Sequence, residues 1–120
     1  MDEERKRAAR EGHESPVWDT IEDTHACYNG NVEAICSKMT TRDRVMFGSH
    51  NAPSVELIKG MITERYPEKV KAIWIAQLHG FSDNLTYGLR EEGFSVKKYV
   101  PYGPYNQSMP YLIRRGQESR

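Results

Sequence analysis

Near the end of this chain Tyr111, Arg114, Arg115 and Glu118 stand at offsets of zero, three, four and seven, which is the spacing of one helical face. Two guanidiniums beside an aromatic ring make a site for a small carboxylate, because each offers a planar fork of donors that matches two carboxylate oxygens. An Arg pair near a chain end is also an ordinary solvated helix face, so spacing alone leaves both readings open. Upstream, Ser49, His50 and Asn51 follow a short apolar run. They suit a capping turn, and backbone amides at such a helix start can also receive phosphate and ribose oxygens. Gln77 and Leu78 close a longer apolar run, and Tyr99 lies in the strand-like stretch from Ser95. Taken singly, a strand-end Leu and a Tyr are packing residues. His13, His25, His50 and His79 show no metal-ligand spacing, so no metal is expected.

These residues need elements to hold them. Met1 to about Glu11 is a charged helix-forming stretch that Gly12 should end, and Thr20 to Lys38 reads as a second helix with Thr20 as its N-cap. Arg44 to Gly48 is a short apolar strand, after which Pro53 opens a helix with a Val55, Ile58, Ile62 stripe. Lys71 to Leu78 is the clearest strand, with Ala72 to Ala76 continuously apolar as expected where helices cover both faces of a parallel sheet. Ser82 or Asp83 should cap the next helix, which Gly93 stops. Ser95 to Tyr102 reads as the last strand and Asn106 to Gln117 as the last helix. Three successive β-α units with no hairpin between them, preceded by helices, give an α/β architecture with parallel strands. Three such strands by themselves leave two open edges and an uncovered face.

Composition narrows the function further. A chain of 120 residues forms one domain at most and buries about two-thirds of the surface its unfolded form exposes. Seventeen basic and seventeen acidic side chains cancel, so no overall field favours nucleic acid. Cys27 and Cys36 point to opposite faces of the second helix, which excludes a disulfide between them there. Asn84-Leu85-Thr86 and Asn106-Gln107-Ser108 are sequons at expected helix starts and read as capping chemistry. No apolar run approaches the roughly 18 to 20 residues of a membrane span, and the acidic opening Met1-Asp2-Glu3-Glu4 is unlike a transit peptide.

The same positions carry a family resemblance. The run KYVPYGP over residues 98–104, followed by YLIRR over 111–115 and by Glu118, resembles the C-terminal end of proline dehydrogenase. Ala76 to Asp83 (AQLHGFSD) is similar to that family's AQLxGMSD segment, and Ser49-His50-Asn51 to its (T/S)HN segment. Ser15 to Thr20 more weakly resembles its DPIxPT loop. The resemblance implies the C-terminal part of a (β/α)8, TIM-like barrel: residues 1–120 would be a partial proline dehydrogenase domain holding the sixth to eighth strands, with the N-terminal strands absent. It implies FAD as cofactor, L-proline as substrate, 1-pyrroline-5-carboxylate as product and a quinone as electron acceptor. It also implies mitochondrial placement on the matrix side of the inner membrane in a eukaryote, with peripheral membrane association of the complete enzyme. By the same resemblance Leu78, Tyr99, Tyr111, Arg114 and Arg115 bind substrate, while Ser49, His50, Asn51, Gln77, Arg115 and Glu118 bind FAD. No catalytic base is among these residues. Two other readings are an inactive remnant or interaction module of the same fold, and a half-barrel that dimerises to bury its edges.

Overall fold

The computed structural model describes the backbone of residues 2–118 and the side chains of residues 3–117. Helix α1 (Asp2–Glu11) ends at Gly12, whose φ of +71° is a left-handed conformation that costs glycine little. Helix α2 (Ile21–Lys38) starts as its sequence requires: the Thr20 hydroxyl accepts from the Asp23 amide at 3.0 Å. Val32 and Cys36, one turn apart, are its buried face.

Three strands follow, β1 (Val45–Gly48), β2 (Ile73–Leu78) and β3 (Ser95–Tyr99), paired in parallel in the order β1-β2-β3. Between them lie α3 (Ala52–Gly60) and α4 (Asp83–Glu91), and α5 (Tyr105–Glu118) comes last. Phe47 pairs with Ile75, and Ile75 with Val96, so these three lie in one row across one face of the sheet. That face is covered: Val32, Cys36 and Met39 of α2, Val55, Ile58 and Ile62 of the α3 segment and Leu89 of α4 pack with Phe47, Ile73 and Ile75 in one buried cluster.

The opposite face carries Met46, Trp74, Ala76, Leu78 and Tyr99, by the alternation of strand side chains. Met46 is 58% exposed and Tyr99 59%. The expectation of helices on both faces is therefore corrected. The apolar run of β2 is two-sided because one face meets helices and the other forms the wall of an open cleft.

Element ends also differ from the sequence reading. Lys71 and Ala72 belong to a 3₁₀ segment (Pro67–Ala72) that follows a single π-helical turn (Met61–Arg65), and β2 begins only at Ile73. Lys69 explains the detour. Its ammonium group donates to the Cys36 carbonyl at 2.7 Å and stacks on Tyr66 at 4.2 Å, so the segment is pinned to the C-terminal turn of α2. Strand β3 stops at Tyr99, three residues early, because Pro101 can donate no ladder hydrogen bond. Both cysteines are free thiols, as the helical spacing required.

Candidate functional site

Parallel β-α units place every strand-to-helix loop at one end of the sheet, and the residues singled out in the sequence collect there. A cleft of about 410 Å³ opens at this end, lined among others by Ser49 and His50 after β1, Gln77 and Leu78 at the end of β2, Tyr99 at the end of β3 and Tyr111 of α5. A second hollow of about 230 Å³ shares Tyr99 and Tyr111 as walls and continues over Pro101, Tyr102 and Gly103 to Gln107 and Ser108 of α5. The two tyrosines thus stand between adjoining spaces.

Each lining group is fixed by identifiable contacts. Gln77 is buried, with its amide oxygen accepting from the Thr86 hydroxyl at 3.0 Å and its amide nitrogen reaching the Ser49 carbonyl at 3.4 Å. Asn51 does not line the cleft. It sits at the N-cap position of α3, donates from its side chain to Ser54 Oγ at 2.8 Å, and gives its backbone amide to Ser49 Oγ at 3.1 Å. The guanidinium of Arg115 lies over the Tyr111 ring at 5.3 Å, one helical turn away, so the cation and the cleft aromatic form one unit. Arg114 is exposed on α5. The side chain of Glu118 lies outside the described residues.

His50 bridges two loops. Its Nε2 accepts from the Leu78 amide at 3.3 Å, and its Nδ1 is 2.9 Å from Ser82 Oγ. Partial burial holds its pKa below the usual imidazole value, and the nearby Lys98 ammonium group adds to the effect. Lys98 holds the same β2–α4 loop from the other side, donating to the Phe81 carbonyl at 2.6 Å and pairing with Asp83 at 2.7 Å. Ser82 occupies the N-cap position of α4, as the sequence suggested, but its side chain makes no capping bond: φ is +50° and its hydroxyl is turned to His50. Sequence reading missed Lys98, Thr86 and Ser82 as parts of the site. The one available signal was architectural, since loops after neighbouring parallel strands must lie side by side.

An open parallel sheet with an aromatic-walled cleft at its strand ends, one of whose tyrosines carries Arg115 on its ring, defines an α/β protein with room there for a small ligand with an apolar body. The sequence profile of the proline dehydrogenase family matches residues 1–120. Proline dehydrogenase 2, mitochondrial, of Arabidopsis thaliana is 42% identical over 123 residues, covering 100% of this chain and 26% of the relative. Proline dehydrogenase 1, mitochondrial, of Caenorhabditis elegans is 35% identical, covering 99% of this chain and 20% of the relative. The carbapenem antibiotics biosynthesis protein CarD of Pectobacterium carotovorum is 38% identical, covering 83% and 25%. The chain belongs to the proline dehydrogenase family, and it spans about a quarter of the length of the relatives it matches. No solved structure matches it significantly.

Proposed function

We propose that residues 1–120 are part of a (β/α)8-barrel proline dehydrogenase domain, contributing three of its β-α units and, with them, much of the substrate pocket. The observation that supports this reading best is the convergence of Leu78, Tyr99 and Tyr111 on one cleft, with the Arg115 guanidinium stacked on the Tyr111 ring. L-proline is a compact apolar ring with a carboxylate, and this set matches both parts. Leu78 supplies an apolar wall, Tyr99 and Tyr111 close over the ring, and Arg114 and Arg115 clamp the carboxylate through charge-assisted bonds worth roughly 1.5 to 3 kcal/mol each. The chain's work is then orientation, presenting the ring carbon beside nitrogen in one fixed pose.

The residues present fit part of a flavin nucleotide. The open sheet face offers Met46, Trp74 and Ala76 to a flat apolar ring, and the polar groups at the β1 and β2 ends suit its substituents. Ser49, His50 and Gln77 would hold FAD, with Arg115 and Glu118 from α5, while Asn51, whose amide bonds Ser49 Oγ and whose side chain bonds Ser54, would serve by fixing the Ser49 loop rather than by direct contact. FAD held there would supply a hydride acceptor for the oxidation of proline to 1-pyrroline-5-carboxylate, with a quinone as the onward electron acceptor. None of these 120 residues is assigned as a catalytic base. Mitochondrial placement and peripheral association with the inner membrane go with this reading.

The test is direct. The natural polypeptide containing these residues, purified, should show flavin absorbance and reduce a dye or quinone with proline. Absence of both sinks the assignment. Flavin content without proline oxidation would instead favour an inactive remnant or interaction module of the same fold.

A further inference from the structure

We propose that His50 is a positioning residue, whose imidazole ties the β1–α3 loop to the β2–α4 loop and so fixes Leu78 at the cleft wall. The importance of that wall rests on the proline-site reading above, but the tie itself does not.

The argument starts from hydrogen-bond polarity. The Leu78 amide can only donate, so the nitrogen it meets, His50 Nε2 at 3.3 Å, must present a lone pair. A neutral imidazole then carries its proton on Nδ1, which stands 2.9 Å from Ser82 Oγ and donates to it. Both ring nitrogens are thereby committed within the protein, one to each end of a five-residue stretch. Ser82 shows what the tie demands: a non-glycine residue held at φ +50°, with its hydroxyl serving His50 rather than capping α4. The ring also packs edge-on to Phe81, with centroids 5.9 Å apart, so it meets the segment at Leu78, Phe81 and Ser82.

Protonation would undo this. An imidazolium has no acceptor, and a hydrogen on Nε2 would face the Leu78 N–H. The charged groups around the ring favour the neutral form. Lys98 of β3 bonds the Leu78 and Phe81 carbonyls, and Asp83 of α4, the opposing charge, is already paired with Lys98. Tyr99 and Tyr111 line the same cleft from β3 and α5. While the tie is closed His50 has no ring nitrogen to offer a ligand, so any cofactor contact it makes is through its ring surface.

The experiment is a pH titration by NMR of the natural polypeptide containing these residues, uniformly ¹⁵N-labelled. His50 should appear as the Nδ1–H tautomer at neutral pH, the reverse of free histidine, and the Leu78 amide signal should move with the same midpoint as the His50 ring. Ser82→Ala should shift His50 toward the Nε2–H tautomer. His50→Gln, whose amide oxygen can reach the position of Nε2, should keep the Leu78 amide closer to its original shift than His50→Ala does. An Nε2–H tautomer in the unmodified chain, or a Leu78 amide indifferent to His50 titration, overturns the proposal whatever the variants do. Failure of the proline reading would leave this spectroscopic signature intact, so the two are distinguishable.

Discussion

At the residue scale the clearest demand falls on Arg114 and Arg115. In the natural polypeptide, Arg114→Met or Arg115→Met should lower kcat/KM for proline by about one to two orders of magnitude, as expected for losing one charge-assisted contact. Arg115 should lose more, because its guanidinium also holds the Tyr111 ring at 5.3 Å. Lys at either position should restore only part, since an ammonium cannot make the planar two-pronged contact. Steady-state kinetics with proline as the varied substrate decide the matter. Gln77 offers an independent test. Its buried amide oxygen depends on Thr86, so Thr86→Val leaves that acceptor unpaired and should cost about 1 to 3 kcal/mol, measured by urea unfolding.

At the scale of elements, β2 is a strand with two different faces. Ile75, fully buried between α3 and its neighbours, should cost about 2 to 5 kcal/mol when truncated in Ile75→Ala. Met46, on the open face of β1, should cost less than about 0.5 kcal/mol in Met46→Ala. Equal losses in denaturant unfolding would contradict the one-sided packing. The π-helical turn and 3₁₀ segment after α3 make the same point about local signals. Ile62 continues the buried Val55 and Ile58 stripe of α3 into them, yet Pro67 and the pull of Lys69 on the Cys36 carbonyl redirect the chain.

At the scale of the whole molecule, the radius of gyration is 16.7 Å, against roughly 13.5 Å for a compact domain of this length. The excess agrees with a sheet open on one face and at both edges. The 120-residue chain should therefore bind an apolar-surface dye such as ANS at neutral pH, and Met46→Lys should reduce the signal; no binding would mean that the face is covered. Acid should weaken the fold in two stages. His50 has its pKa lowered from 6.5, so its contribution to stability is complete above about that pH and is lost as pH falls through its depressed folded value. Asp43 has its pKa lowered from 3.8 by accepting from the Thr40 amide and hydroxyl, so its contribution persists to lower pH and goes only as that carboxylate is protonated. Urea midpoints from pH 7 to pH 3 should fall in that order.

The α/β class, the order of helices and parallel strands, and the gathering of Ser49, Leu78, Tyr99 and Tyr111 at one end were legible in the sequence by itself. Those features follow from local rules: apolar period, caps, glycine and proline punctuation, and the geometry that sends each parallel strand's end to the same side. The motif resemblance was equally legible, because it lies in residue identity. The tie between His50 and Ser82, the grip of Lys98 on the β2–α4 loop and the single covered face of the sheet were decided by tertiary structure. They join residues 32, 17 and more positions apart, and no propensity or spacing rule acts over such separations. Ser82 shows the difference within one residue. Its sequence context predicts a helix cap, and its hydroxyl was claimed instead by an imidazole that only folding brings within 2.9 Å.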